Sequence, residues 1–369
     1  MPHMTVNTPF AISFVVVMNA EKYMKRCLDI ARLGLGRVAP NPMVGAVLIY
    51  ENKIIGEGYH ELFGGPHAEV NAINDALGKG NKELIRRSTL YVCLEPCLHY
   101  GKTPPCSELI IHHEIPKVVI GCRDPYPEVN GKGIAKLKAA GIEVVEGILE
   151  EECKELNKRF IVFQKQHRPF VILKWAETRD NYLAPLDPAK GAKERLFISN
   201  EYTHRLVHKW RSEESSILVG TNTALSDDPL LTARLWKGKN PTRLVIDMKL
   251  KLPGSLNIFN KAARTIIFNT LKHEEEDDLF FYRVREEVSL VRQISNALYQ
   301  LKIQSVIVEG GARLLQSLID EGLWDEARVI RNKELVIREG LKAPLLREVE
   351  QKRQQIVGSD EFILYEHIR

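Results

Sequence analysis

The sequence predicts an α/β fold divided into two different domains. Helix and strand signals alternate along the chain, and a polar segment at 164–169 interrupts them near the middle. The 369 residues exceed the usual size of one domain, and 44% of them are hydrophobic. No internal repeat relates the halves, so we expect an extension at 1–18, one domain at 19–166 and another at 167–369.

Helices and strands alternate in the first half. Met24, Leu28 and Ala31 have the spacing of a helix face, and Gly34 ends the pattern. Two β-branched runs flank a Glu-Asn turn, which indicates a hairpin. Helices are predicted at 21–34, 67–77, 107–113, 134–140 and 150–166, and strands at 44–50, 53–59, 89–94, 117–121 and 143–147. This order predicts a sheet with helices on its faces.

The second half begins again with a strand and continues the alternation. Strands are predicted at 170–175, 217–220, 243–247, 265–269, 306–309 and 327–330, and helices at 201–213, 288–301 and 312–321. Five consecutive acidic residues at 274–278 predict a solvated loop, because adjacent like charges repel.

The start of the chain predicts neither a signal peptide nor a membrane span. The apolar run at 10–18 has no basic residue before it and is too short to cross a bilayer. Asn19 is expected to cap the first helix, so residues 1–17 are expected to lie outside the fold. The six cysteines all precede residue 154, unlike a secreted disulfide framework, which predicts a reducing cytoplasm. The net charge of +4 is thinly spread, which argues against nucleic-acid and membrane partners.

Three short segments in the first half predict a zinc site. They are Pro66-His67-Ala68-Glu69, Glu95-Pro96-Cys97 and Pro104-Pro105-Cys106. One imidazole and two thiolates give three ligands, and a catalytic zinc keeps its fourth position for water. A closed structural site with His99 as fourth ligand, or buried thiols without metal, are the alternatives.

Glu69 is the candidate proton carrier at this site. It lies two residues after His67, too close to share the metal easily but near enough to reach its water. Zinc lowers the pKa of that water to about 7, and a carboxylate can move its proton to a leaving amine. His67 and Cys106 each follow a proline, which favours helix starts whose positive ends stabilise anions. The alternative is an exposed carboxylate at a helix start.

These segments resemble zinc-dependent deaminases, whose signature is H-x-E with P-C-x-x-C. The second element is widened here to 96–106 and follows Asn41-Pro42-Met43-Val44-Gly45, which is similar to the deaminase half of the bifunctional riboflavin-biosynthesis deaminase/reductases. The resemblance implies a cytidine-deaminase-like three-layer α/β/α domain with one zinc per chain. It also implies that Asn41 binds substrate, the alternative being a simple Asn-Pro turn. His99, Lys102 and Thr103 are then placed to meet a phosphorylated ribose.

The second half alone gives weaker signals. A strand runs through Gly310-Gly311 into a helix, where backbone N–H groups can approach a phosphate, although a plain strand–turn–helix explains it equally well. Together with 225–234 and 245–247, it resembles the reductase half of the same family, which implies a dihydrofolate-reductase-like α/β domain that uses NADPH. By position, the resemblance assigns substrate contacts to Arg211, Leu231, Arg234 and Glu309, and NADPH contacts to Thr223, Asp227, Gly311, Ala312, Arg313, Leu314, Leu315, Gln316 and Ser317.

Paired guanidinium donors suit a ribose phosphate, which favours Arg211 and Arg234 as phosphate ligands, although each is also compatible with a surface arginine. The chain departs from the family at Thr178-Arg179-Asp180-Asn181, where Ser-x-Asp-Gly is usual, and Asn can keep the left-handed turn. Arg195-Leu196-Phe197 replaces a Ser-Lys/Gln-Trp segment, whose roles are not transferred.

The resemblance therefore implies a cytoplasmic enzyme with two activities. The first half is expected to deaminate a diaminopyrimidinone ribosylamine 5′-phosphate, and the second to reduce its ribose to ribityl with NADPH. A single-activity deaminase with a non-catalytic second domain is one alternative, and an RNA-binding deaminase-like module is the other. A homo-oligomer is compatible with the sequence.

Overall fold

A computed structural model describes residues 9–98, 104–126, 129–185 and 197–368, with side chains from Asn19 onward. The chain divides into two compact units, Met1–Lys165 and Gln166–Arg369. Within the described residues, no helix has both the length and the apolar character needed to cross a bilayer.

The first unit is a five-stranded sheet between two layers of helices. Its helices are α1 (Pro9–Ala31), α2 (Ala68–Gly78), α3 (Lys82–Ile85), α4 (Cys106–His112), α5 (Lys132–Ala139), α6 (Glu150–Leu156) and α7 (Lys158–Gln166). Its strands are β1 (Gly45–Tyr50), β2 (Lys53–Tyr59), β3 (Thr89–Leu94), β4 (Lys117–Cys122) and β5 (Glu143–Glu146), in the order β2-β1-β3-β4-β5. The β1–β2 hairpin is antiparallel as predicted, and β3, β4 and β5 run parallel.

Alternate residues of the strands supply two separate cores. Val47 and Cys93 pack under α1, whereas Leu48 and Val92 pack with α2 on the opposite face. Helices therefore cover both faces of the sheet, which confirms the predicted three-layer α/β/α fold.

The first helix starts earlier than Asn19, so the expected cap there is wrong. α1 begins at Pro9, a residue favoured in the first helical turn, and no glycine or proline interrupts the chain from there to Ala31. The predicted extension 1–18 thus falls partly in this helix and partly at 1–8, outside the described residues.

One long helix was expected at 150–166, and the structure has two. Asn157 separates α6 from α7, and its side chain is 2% exposed. Its amide donates to the Met43 carbonyl at 2.9 Å and accepts from the Met43 N–H at 2.8 Å. This contact pairs both backbone polar groups of Met43, which lies just before β1. The helix is interrupted at Asn157, where the side chain makes this contact.

The second unit is built on a ten-stranded sheet with helices on its faces. Its helices are α8 (Glu201–Glu213), α9 (Thr221–Asp227), α10 (Leu290–Gln300) and α11 (Ala312–Asp320). Its strands, in chain order, are β6 (Phe170–Glu177), β7 (Tyr182–Pro185), β8 (Ser216–Val219), β9 (Thr242–Ile246), β10 (Thr265–Asn269), β11 (Glu274–Glu276), β12 (Leu279–Arg283), β13 (Ser305–Val308), β14 (Glu326–Asn332), β15 (Gly340–Lys342), β16 (Val349–Val357) and β17 (Asp360–His367). The order in the large sheet is β11-β12-β10-β9-β8-β13-β6-β14-β17-β16, and its seven middle strands from β12 to β14 are parallel. Strands β7 and β15 form a separate pair.

The acidic run at 274–278 is solvated as expected, but it is not all loop. Residues Glu274–Glu276 form the exposed edge strand β11, antiparallel to β12. Lys272 pairs with Glu274 and Glu276, and Arg264 pairs with Glu275, which offsets the repulsion that favoured a loop. The strand β16 at the opposite edge was not predicted. Nearly all its residues are exposed, so its sequence has no alternation of apolar and polar residues.

Candidate active sites

The three predicted zinc ligands lie together in the first unit. His67 Nδ1 is 3.5 Å from Cys97 Sγ and 3.3 Å from Cys106 Sγ, and all three donor atoms lie within 4.8 Å of one another. Nitrogen and sulfur ligands of one tetrahedral zinc are expected about 3.5 Å apart, given typical bond lengths of ~2.1 and ~2.3 Å. The donor set and its spacing therefore fit zinc.

Two helix starts and one strand end position these donors. His67 precedes the first residue of α2, Cys106 is the first residue of α4, and Cys97 lies just beyond β3. The Cys106 backbone N–H donates to Cys97 Sγ at 3.3 Å. A hydrogen bond from the Cys106 thiol lowers the pKa of Cys97 to about 4, so this sulfur is held as a thiolate, the form that binds metal.

Glu69 lies beside this cluster in the first turn of α2 and is 3% exposed. Burial raises the pKa of its carboxyl, and the negative charge of Cys97 raises it further. Its hydrogen bond with Cys106 places it against the donor set. The alternative of an exposed helix-start carboxylate does not describe this residue.

Asn41 is connected to the same region through His60. His60 Nδ1 is 2.9 Å from the Pro66 carbonyl, which can only accept, so Nδ1 carries the proton and Nε2 is an acceptor. Asn41 Nδ2 therefore donates to His60 Nε2 across 3.0 Å. This arrangement leaves the Asn41 amide oxygen available to a ligand, and His60 is a positioning residue that sequence reasoning missed.

Glu95 is a second positioning residue of the zinc-site motif. Its buried carboxylate accepts from the backbone N–H groups of Asp124, Gly131, Gly133 and Ile134 at 2.9–3.3 Å. These contacts fix the start of α5 beside the Glu95-Pro96-Cys97 segment, where the Pro96 carbonyl would lie 2.2 Å from a Cβ at Gly133. His99, Lys102 and Thr103 lie outside the described residues, as does any closed site that uses His99.

The candidate ligand crevice of the second unit is the region beyond the carboxyl ends of the neighbouring strands β8 and β13. The chain passes from β6 to β8 and returns later to place β13 between them, which is the type of strand-order switch where α/β sheets bind ligands. Gly220 and Gly311 precede the helices α9 and α11 that leave these two strands. A Cβ on Gly311 would lie 3.6 Å from Thr223 Oγ1, so the two helix starts face each other closely.

The predicted NADPH contacts are distributed unevenly around this crevice. Thr223 and the first turn of α11, with Ala312 and Arg313, lie at the facing helix starts, and Asp227 ends α9. Leu314 packs partly against the core, and Leu315 is fully buried in it. Gln316 accepts from the Leu345 N–H, and Ser317 donates to the Leu314 carbonyl. Within Gly311–Ser317, Arg313 is exposed, Leu315 is buried and the other five residues are half-buried.

Glu309 lies immediately before this crevice and is the centre of a buried ion-pair cluster. Arg211 donates to both its oxygens at 2.8 and 2.7 Å, and Lys174 Nζ is 3.7 Å from Oε2. Burial alone raises the pKa of Glu309, but the charges of Arg211 and Lys174 outweigh it and lower the pKa to about 2. Sequence reasoning missed Lys174, although a lysine within the apolar strand 170–175 was an available signal.

The other predicted substrate residues differ in accessibility. Arg211 uses its third donor group on the Thr232 carbonyl at 3.3 Å, so its paired donors are already occupied in this structure. Arg234 is exposed nearby, and the positive charge of Arg211 acts on it. Leu231 is 2% exposed and has a φ of +50°, so it is buried in this structure.

The altered family segment at Thr178-Arg179-Asp180-Asn181 keeps a left-handed turn. Asn181 has a φ of +64°, as expected for an asparagine that replaces glycine. Asp180 accepts from Thr178 and from the backbone N–H groups of Ile337 and Arg338, which anchors the turn. Phe197 is 69% exposed, and Arg195 lies outside the described residues.

Comparisons with known proteins cover both units. Residues 18–122 match the cytidine and deoxycytidylate deaminase zinc-binding region, and residues 169–332 match the RibD C-terminal domain. The chain is 41% identical to riboflavin biosynthesis protein RibD of Aquifex aeolicus over 83% of this chain and 84% of the relative. It is 35% identical to RibD of Actinobacillus pleuropneumoniae over 93% and 94% of the two chains.

A similar solved structure agrees with these sequence matches. It is the diaminohydroxyphosphoribosylaminopyrimidine deaminase/5-amino-6-(5-phosphoribosylamino)uracil reductase of Thermotoga maritima, which is 38% identical. The TM-score is 0.85 over 95% of this chain and 99% of that one.

Proposed function

Because the chain belongs to the RibD family of riboflavin-biosynthesis proteins, we propose that its two sites act in succession on one phosphorylated pyrimidine. The predicted bifunctional enzyme, a zinc-dependent deaminase joined to an NADPH-dependent reductase, is confirmed by the family match. The match of 169–332 to the reductase domain also favours it over the single-activity alternative. The substrates are those named for the Thermotoga maritima protein, the diaminopyrimidine for the first unit and the aminouracil for the second.

The cluster of His67, Cys97 and Cys106 carries this proposal. These three residues would hold zinc through one nitrogen and two sulfur atoms, one ligand fewer than a closed structural site uses. When bound there, zinc supplies the Lewis acidity that makes water nucleophilic at neutral pH. Burial and the proximity of Cys97 increase the basicity of Glu69, which takes the proton from water and gives it to the leaving amine.

Asn41 orients the pyrimidine in the first site. Its amide hydrogen is held by His60, so its oxygen accepts a hydrogen bond from a ring N–H or amino group of the substrate. Pro66 connects this orientation directly to the zinc ligand His67 through the His60 ring. The segment Pro66–Glu69 therefore positions both Asn41, through His60, and the proton carrier Glu69.

In the second unit, NADPH supplies the hydride that reduces the ribosyl C1′. The helix starts at Thr221 and Ala312, with Thr223 beside them, would hold its phosphates. Arg234 binds the substrate phosphate, while Arg211 and Lys174 fix the Glu309 carboxylate for the ribose hydroxyls.

The full chain provides a direct test. Incubation with the phosphorylated diaminopyrimidine should release ammonia without NADPH, and NADPH consumption should then follow deamination. If the supplied aminouracil intermediate caused no NADPH oxidation, the second activity would have to be abandoned. Domain limits of 19–166 and 167–369, a cytoplasmic location, and the absence of nucleic-acid and membrane partners complete the proposal.

A further inference from the structure

Two histidines share a face of α8 with Arg211. His204 and His208 are one helical turn apart, and Arg211 follows three residues later, so all three side chains project from the same side. The two rings lie with their centroids 5.0 Å apart and tilted by 56°. His208 is completely buried, and neither of its ring nitrogens has a hydrogen-bond partner among the described residues. An unpaired buried polar group is costly, so this ring requires an explanation.

Charged groups from four segments of the chain act electrostatically on His204, and three of them also act on His208. Arg211 comes from α8 itself, Lys174 from β6, Arg234 from the segment after α9, and Glu309 from the end of β13. These four groups are three cations and one carboxylate, so the environment of His204 has an excess of positive charge. At the start of α8, the Thr203 hydroxyl and the Asn200 N–H donate to the buried Asp360 of β17, so this carboxylate is already hydrogen-bonded.

Two of the three cations in this cluster are already paired and are not free to bind an anionic ligand. Arg211 is committed to Glu309 and Thr232, and Lys174 also lies against Glu309. Arg234 is the exposed guanidinium whose positive charge acts on His204, and the half-buried His204 ring lies against the ring of His208. A dianionic phosphate at Arg234 would therefore also lie in the field acting on His204, and a protonated imidazole can donate to it.

We propose that His204 is a further phosphate-binding residue of the reductase site and takes up a proton from solvent when a phosphomonoester binds beside Arg234. The inference rests on the proposed reductase function. The His208 ring contacts the His204 ring and remains neutral, since neither of its buried nitrogens has an acceptor among the described residues.

The electrostatics give the direction of the effect. Burial, followed by the charges of Arg211 and Arg234, lowers the pKa of His204, and the same causes lower the pKa of His208 to about 4. A bound dianion offsets these cations and raises the pKa of His204. Since the bound state then holds the proton more tightly, ligand affinity rises as the pH falls through this interval.

Histidine ring resonances of the full chain test this inference. Sulfate is the first probe, because its charge is constant where phosphate itself titrates, and ribose 5-phosphate is the second. His204→Gln and His208→Gln assign the two resonances, and His113 in the first unit is the internal reference. Saturating anion should raise the half-titration pH of His204 by about 0.5–1 and leave His113 unchanged.

Arg234→Gln gives an independent measurement. Removing this cation should raise the half-titration pH of His204 without any anion, and later addition of sulfate should have little effect. If neither sulfate nor ribose 5-phosphate moves the His204 resonance, the inference is overturned. NADPH oxidation with the aminouracil intermediate distinguishes failure of the His204 inference from failure of the proposed reductase function. Oxidation without a resonance shift rejects only the role of His204, and a shift without oxidation rejects the reductase function while the anion site stands.

Discussion

The two proposed active sites are assembled over different distances along the chain. The zinc donors lie 9, 30 and 39 residues apart, at two helix starts and one strand end of a single sheet. Glu309 instead meets Arg211 of helix α8 across 98 residues, and Lys174 reaches it from the neighbouring strand β6. The first site is a set of short motifs, whereas the second exists only when distant strands pair.

This difference determines what each site tolerates. Zinc needs every donor at a fixed distance, so the loss of one ligand removes the function of all three. The ion-pair cluster places two cations beside Glu309, so the loss of one cation leaves the carboxylate paired with the other. Variants of the first unit should therefore abolish one activity, and variants of the second should weaken the other by degrees.

Removal of a zinc ligand should have the largest effect. Cys106→Ser should lose both bound zinc and ammonia release, because a hydroxyl is a poor replacement for a thiolate. NADPH-dependent reduction of the supplied aminouracil should persist, since that site lies in the other unit. Zinc content and both activities are measured on the same preparation. Cys153→Ala is the matched control, and equal zinc loss in both variants would contradict the assignment.

Glu69→Gln should separate metal binding from catalysis. The variant should keep its zinc, because Glu69 is not a ligand, and lose about 10²–10⁴-fold in deamination rate, the usual contribution of acid–base catalysis. Ammonia release at saturating substrate measures the effect. Glu61→Gln, an exposed neighbour on the preceding loop, should behave like the natural chain. A loss below tenfold at Glu69 would remove it from the mechanism.

Arg234→Ala should weaken the reductase without inactivating it. Loss of one charged hydrogen bond typically costs ~1.5–3 kcal/mol, or roughly 10- to 150-fold in affinity. The KM for the aminouracil should rise while deamination stays unchanged. Lys237→Ala removes an exposed cation from the same segment and should have little effect. An equal loss in both variants would indicate general charge attraction rather than a specific contact.

The sequence predicted the zinc site more completely than the reductase site for a physical reason. His67, Cys97, Cys106 and Glu69 lie within short motifs whose spacing reflects one local geometry. The commitment of Arg211 to Glu309 depends on strand order, which no local pattern encodes. Likewise, the break at Asn157 depends on Met43, 114 residues away, and the edge strand β16 has no buried face to create a pattern. Local chemistry was predictable, while long-range pairing was not.

The smallest expected effect tests the altered turn that precedes the reductase site. Asn181 adopts a φ of +64°, and its carbonyl accepts from the Ala343 N–H. Left-handed backbone costs roughly 1–2 kcal/mol for residues other than Gly, Asn and Asp, so Asn181→Ala should lower the free energy of unfolding by about 1 kcal/mol. Asn181→Gly, which restores the residue usual in the family, is the matched control and should change it by only a few tenths. All four tryptophans lie in the second unit, so urea unfolding followed by tryptophan fluorescence reports on this unit alone. If the alanine and glycine variants proved equally stable, the left-handed geometry of the turn would have no energetic importance, and the departure from glycine would be neutral.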